Sequence, residues 1–177
     1  MVSRLPYIVT ALFVVALDQA AKAVAAARLP PYGSVSVIPG LFDLTFVKNP
    51  GGVFGMFKNL DSSIRAPLFT VVPVIAVALI VLFAVKLPLN HRFAQSALAL
   101  ILGGAVGNLI DRFNLGYVID FFDVYWRDHH WPAFNVADSA ICIGVGMLML
   151  ETFFAPDRTP ATGSKSAESE PASGETP

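Results

Sequence analysis

The sequence is short of nearly everything a soluble enzyme draws on. Only 14% of its 177 residues are charged and the net charge is -1, which leaves no basic surface to neutralise a run of phosphates and excludes nucleic-acid binding. A single cysteine, Cys142, rules out an internal disulfide and a cysteine-built metal site. Within Ala140-Ile141-Cys142-Ile143 it reads as a small buried hydrophobe. The three histidines make no metal set: His91 falls in an expected hairpin link, and His129 and His130 are adjacent in an expected loop, where neighbouring side chains point apart. Ser139 has no histidine or lysine placed to activate it, so a serine nucleophile is not supported. No metal or other cofactor is expected.

What is abundant is apolar surface. The chain is 55% hydrophobic with a mean hydropathy of +0.63, a composition whose natural solvent is the bilayer. The expected fold class is a membrane α-helical protein with four transmembrane helices, at about residues 5–27, 68–86, 93–111 and 136–154, each near the 20 or so residues that cross the hydrocarbon core. The second has no charge between Leu68 and Val85, and with the third it forms a hairpin through residues 86–92. The first is apolar over 5–17 and continues only if Asp18 and Lys22 are tolerated at membrane depth. A cleavable secretory signal over residues 1–27 also fits Arg4, the apolar core and the small residues after it. That reading gives no reason for Asp18 and Lys22, which at a spacing of four face one another on a helix and offset each other's insertion cost.

Between the first two helices, Val35 and Val37 alternate with serines, and Phe42, Leu44 and Phe46 alternate with Asp43, Thr45 and Val47, which predicts short strands. Residues 56–65 mix apolar and charged side chains in a pattern suited to a short interfacial helix. Residues 30–66 thus read as a surface subdomain of a single unit spanning 1–154. Residues 155–177, rich in Pro, Ser, Glu, Thr and Gly, read as a disordered tail. Basic residues divide almost evenly between the two sides of four crossings, so the charge rule does not orient the chain.

An ionisable group near the bilayer centre costs about 2.5 to 3.5 kcal/mol on insertion scales, so each needs an explanation. Glu151 ends its helix and reads as a surface carboxylate. Ion pairs that fix helix register account for Asp18 with Lys22 and for Asp111 with Arg112 or another neighbour. Asp120, flanked by Ile119 and Phe121, and Asp138, opening the last helix, are left without a cation. Two facing carboxylates in a partly dry site share a proton and titrate as a pair, so one serves as base and the other as acid in amide hydrolysis by water. Proton relays of transporters use the same parts, and the acids alone do not choose between them. A transporter is expected to carry internal repeats and broken helices, which are not seen. A non-catalytic assembly subunit would give no reason for uncompensated aspartates. Asn108 and Asn135 each stand three residues before an aspartate and can share its helix face as amide donors. Asn49 begins Asn49-Pro50-Gly51-Gly52, a turn that lets backbone approach a substrate. Gly103, Gly104 and Gly107 form a small-residue face for helix packing.

Four blocks carry a resemblance: Asp18-Gln19-Ala20-Ala21-Lys22; Asn49-Pro50-Gly51-Gly52-Val53-Phe54-Gly55; the stretch from Gly103-Gly104-Ala105 through Gly107-Asn108-Leu109-Ile110-Asp111-Arg112 to Gly116-Tyr117-Val118-Ile119-Asp120-Phe121; and Phe134-Asn135-Val136-Ala137-Asp138-Ser139. In this order the sequence resembles bacterial lipoprotein signal peptidase, or signal peptidase II, over roughly residues 7–154. The resemblance implies an aspartyl endopeptidase of the inner membrane, with four transmembrane helices and an exported β-cradle. It also implies cytoplasmic termini, a site facing the exported side, and cleavage of prolipoproteins just before their diacylglyceryl-modified cysteine. It places the catalytic pair at Asp120 and Asp138, and supporting or substrate-binding positions at Asp18, Lys22, Asn49, Gly51, Asn108, Asp111, Arg112 and Asn135. Membrane lipid and the lipopeptide inhibitor globomycin are the further implied partners. In the second block Pro50, Gly52 and Val53 stand where the family more often has Asn-Thr-Gly-Ala-Ala-Phe, while Asn49, Gly51, Phe54 and Gly55 remain in place.

Overall fold

The computed structural model describes residues 3–30, 33–51 and 61–154. The expected tail over 155–177 lies outside the described residues. Among the described residues, four helices are long and apolar enough to cross a membrane: α1 (Leu5–Arg28), α2 (Ser62–Lys86, apolar from Pro67), α3 (Arg92–Leu115) and α4 (Val136–Phe154). Four strands, β1 (Ser34–Ile38), β2 (Phe42–Asn49), β3 (Val118–Trp126) and β4 (His129–His130), form an antiparallel sheet in sequence order.

Burial follows composition. α2 has the highest mean hydropathy, 3.0, and buries none of its span, as expected of a helix that meets lipid over most of its surface. α3, with its glycines, is central and packs against α1, α2 and α4. A Cβ at Gly103 would meet the Ala11 carbonyl of α1, and one at Gly104 would run into the Ala137 carbonyl of α4. These glycines therefore set how closely the backbones approach, as their spacing predicts. Gly144 does the same from α4 against Ala97 and Ile101.

The two ends of the bundle are tied differently. At one end, Arg4 donates to the carbonyls of Ala84, at 2.6 Å, and Val85, at 2.8 Å, while Gln95 donates to Ala84 and Leu87. These side chains satisfy carbonyls that the last turn of α2 leaves without intrahelical partners. His91 and Glu151 stand 3.8 Å apart at the same end. At the other end lie the C-termini of α1 and α3, the N-terminus of α4 and the sheet. Here Ile119 and Phe121 of β3 pack with Ala25 of α1, and the period-two pleat turns Asp120 to the opposite face.

Between α3 and α4 the chain forms two strands: β3 runs along β2 and turns back through β4. Val118–Trp126 is a run of β-branched and aromatic residues, and β2 offers it a ladder. His129 and His130 belong to β4 rather than a loop, and His130 pairs with Asp123 at 2.9 Å and stacks on Tyr125. The expected interfacial helix over 56–65 falls partly outside the described residues, and residues 62–65 form the first turn of α2, where the Asp61 carboxylate accepts from the Ser63 N–H at 2.8 Å. Cys142 is exposed, not buried, because α4 turns Ala137, Ala140 and Gly144 inward.

Candidate active site

The site is assembled where α1, α3, β2, β3 and the start of α4 meet. Its floor is an ion cluster. Lys22 Nζ lies 2.8 Å from Asp18 Oδ2, 2.8 Å from Asp111 Oδ2 and 2.9 Å from Asn108 Oδ1. An ammonium has three donors and all three are taken. All four side chains are buried, Asp18 completely. Asp111 therefore pairs with Lys22 and not with Arg112, because α1 packs beside α3 at this level; among the described residues Arg112 reaches the Asn108 carbonyl, at 3.5 Å. Gln19, which the sequence reading passed over, also donates to Asp111 Oδ1 at 2.9 Å and to the Gly107 carbonyl at 3.1 Å. Its place beside Asp18 on an apolar helix was the available signal.

Both carboxylates of this cluster also grip the layer above it. Asp18 Oδ1 accepts from the Ala137 N–H at 3.0 Å, and Asp111 Oδ2 from the Ile119 N–H at 3.1 Å. The first contact satisfies a donor at the start of α4, and the second fixes the backbone next to Asp120. Gly107 keeps room for the Asp18 carboxylate, since a Cβ there would come within 2.6 Å of Asp18 Oδ2.

Asp138 is set by a reciprocal cap. Asn135 Oδ1 accepts from the Asp138 N–H at 2.9 Å, while Asp138 Oδ2 accepts from the Asn135 N–H at 3.1 Å. This is a capping box with aspartate in the place of the usual Glu or Gln, and it uses the three-residue spacing directly. Asp138 Oδ1 accepts from Asn108 Nδ2 at 2.8 Å. Asn108 Oδ1 already faces Lys22 Nζ and Asn135 Nδ2, so its amide is forced to aim its donors at Asp138.

Asp120 sits on β3 with Val47 opposite it, and Asn49 is its diagonal neighbour on the same face. Asn49 Nδ2 donates to Asp120 Oδ2 at 2.9 Å, and Asn135 Nδ2 to Asp120 Oδ1 at 2.7 Å. The asparagine amides are thus crossed: Asn108 serves Asp138 and not Asp111, and the side-chain donor of Asn135 serves Asp120 rather than Asp138. Helix-face spacing could not reveal this, because the partners come from other elements. Asn49 Oδ1 also accepts from the Gly51 N–H at 3.0 Å; Gly51 has φ 115°, and a Cβ there would collide with Phe69.

Asp120 and Asp138 line one cavity of about 490 Å³, walled by Asn49, by residues 131–134, and by Ser139, Cys142 and Ile143 of α4. Among the described residues neither aspartate forms an ion pair. Burial pushes the Asp120 carboxyl up to about 7 despite the Asn49 bond that favours its charge; the charge of Asp138 raises it further, and Asn135 and Lys22 pull the other way.

Four membrane-length helices, with two carboxylates lining one cavity at their end, define a multi-pass membrane protein. Residues 10–154 match the family model described as Signal peptidase (SPase) II. The lipoprotein signal peptidase of Geobacter metallireducens is 51% identical over 148 residues, covering 84% of this chain and 90% of that one. That of Geobacter sulfurreducens is 50% identical over 135 residues, covering 76% and 83%. A bacterial membrane enzyme solved by the in meso method at 1.9 Å superposes with a TM-score of 0.76 at 31% identity, covering 85% of this chain and 94% of that one. A second, at 2.3 Å, gives 0.74 at 30% identity over 92% and 94%. The chain belongs to the signal peptidase II family and is a protease of that family. The transporter reading is not favoured.

Proposed function

We propose that this protein is the aspartyl endopeptidase that removes signal peptides from diacylglyceryl-modified prolipoproteins, cutting just before the modified cysteine. The observation that carries this is the convergence of Asp120 and Asp138 on one cavity, each held by amide donors and neither neutralised by a cation. The names of its relatives supply the substrate class.

Asp138, in the first turn of α4 where the helix dipole favours negative charge, is the ionised partner. Asp120, whose carboxyl burial pushes up to about 7, carries the shared proton. Asp138 takes a proton from water as the water oxygen bonds to the scissile carbonyl carbon. The Asp120 proton goes to the developing oxyanion. Collapse of the tetrahedral species breaks the C–N bond, the amine leaves with the proton held by Asp138, and the hydroxyl proton returns to Asp120. Asn49, Asn108 and Asn135 orient the pair, while Asp18, Lys22 and Asp111 brace them. Gly51 lets the Asn49 turn close, and Arg112 offers a guanidinium beside the same helix end.

In this reading the protein lies in the bacterial inner membrane, with its sheet and site toward the exported face and both termini cytoplasmic. Globomycin competes for the cavity. The test incubates purified protein in detergent with a diacylglyceryl-modified prolipoprotein and with its unmodified precursor, with and without globomycin. Globomycin-sensitive cleavage of the lipidated form alone is expected. Cleavage of neither form by folded protein, or of both equally, would overturn the assignment of substrate.

A further inference from the structure

β3 has two edges. One is paired with β2. The other is taken by the chain returning toward α4: Tyr125 and Trp126 pair with β4, and further on Phe122 N–H donates to the Phe134 carbonyl at 2.8 Å while Phe134 N–H donates to the Phe122 carbonyl at 3.1 Å. Such a reciprocal pair turns both polar groups of Phe134 toward β3. The pleat then turns those of its neighbour Ala133 the other way, off the sheet.

Among the described residues, neither the N–H nor the C=O of Ala133 forms a hydrogen bond. Ala133 is half-buried, and its unpaired main-chain groups line the cavity shared by Asp120 and Asp138, where they are free to take a partner. The sheet therefore ends, next to the acids, in an open rung. Adding a strand to such an edge is a general way to hold an extended peptide, with main-chain hydrogen bonds giving affinity whatever the side chains.

We propose that the scissile stretch of the substrate adds to this edge as an extended strand. The Ala133 N–H donates to a substrate carbonyl and the Ala133 carbonyl accepts from a substrate N–H, which fixes the register of the scissile carbonyl between Asp120 and Asp138. This rests on the peptidase reading and assigns Ala133 as a substrate-binding residue acting through its backbone.

The test is a series of lipidated prolipoprotein substrates in which each amide flanking the cut, but not the scissile one, is replaced in turn by an ester. The replacement removes one N–H at a time. Loss of the one N–H that reaches the Ala133 carbonyl lowers kcat/KM about tenfold, and the other positions change little. Ala133→Pro, which deletes the N–H, lowers kcat/KM by a similar factor, mainly through KM, with the unfolding temperature unchanged. Should that variant misfold, the ester series on the wild-type chain decides alone. Uniform or absent sensitivity along the series, with normal cleavage of the parent substrate, overturns the strand proposal and leaves the peptidase reading standing. Failure to cleave even the parent substrate overturns the peptidase reading itself.

Discussion

The side-chain amide of Asn135 lies 2.7 Å from Asp120 Oδ1, and the same residue caps α4 through Asp138. One asparagine therefore fixes the distance between β3 and the first turn of α4, and with it the spacing of the two acids. Asn135→Ala removes both connections and leaves buried acceptors unmatched. We expect kcat to fall about a hundredfold through misplacement of the acids, with correctly inserted protein still recovered. Near-normal kcat would show that the acids are positioned by other contacts.

The ion cluster beneath the site predicts a different signature. Lys22→Met leaves Asp18 and Asp111 facing each other without their shared cation. Removing one partner of a buried pair costs about 3–5 kcal/mol, to be read as a shift in the unfolding midpoint in mixed micelles. Asp18→Asn weakens the Lys22 contact but retains an acceptor for the Ala137 N–H, so it acts mainly through stability and substrate affinity. A loss of turnover at normal stability and binding would contradict that division.

Gly104 and Gly107 separate packing from site geometry. Gly104→Ala drives a methyl group into the Ala137 carbonyl and forces α3 and α4 apart, whereas Gly107→Ala displaces the Asp18 carboxylate. Each costs about 1–3 kcal/mol as overpacking. Gly146→Ala, where a Cβ would meet nothing, serves as the control. Equal melting temperatures for all three variants would refute this account of the small-residue face.

The proton on Asp120 gives a pH dependence of known sign. Its carboxyl is pushed up to about 7 in the folded chain, chiefly by burial, against about 4 when unfolded. The folded chain thus holds a proton that the unfolded chain has lost between those values. The stability from this group is complete below about pH 4 and is lost as pH rises through about 7. We expect the unfolding midpoint to fall from pH 5 to pH 8 and Asp120→Asn to flatten that fall. The kcat/KM of the wild type should decline above about pH 7 as the acid is lost. An identical pH slope in the variant would remove Asp120 as the source.

The legible part of the fold was the part written in composition. Runs such as 68–85 specify a membrane helix without any tertiary partner, and the alternation in Phe42–Asn49 specifies a strand. β3 was missed although Val118–Trp126 is β-branched and aromatic, because Asp120 and Asp123 interrupt it and its ladder depends on β2, some 70 residues earlier in the chain. The charged residues gathered at the site were visible as polar groups in apolar surroundings, whereas Gln19 was not singled out. The pairing of the polar groups was not visible, since Lys22 with Asp111, Asn108 with Asp138 and Asn49 with Asp120 join different elements. The exposure of Cys142 was misread for a related reason: an apolar run in a membrane helix does not say which of its faces meets protein and which meets lipid.

The most direct measurement compares single-turnover cleavage of a diacylglyceryl-modified prolipoprotein by the wild type, Asp120→Asn and Asp138→Asn, each first shown to be folded and to bind globomycin. The paired-acid account predicts that both variants lose on the order of a thousandfold or more in rate. Substantial cleavage by either variant would remove that aspartate from the pair and contradict the mechanism.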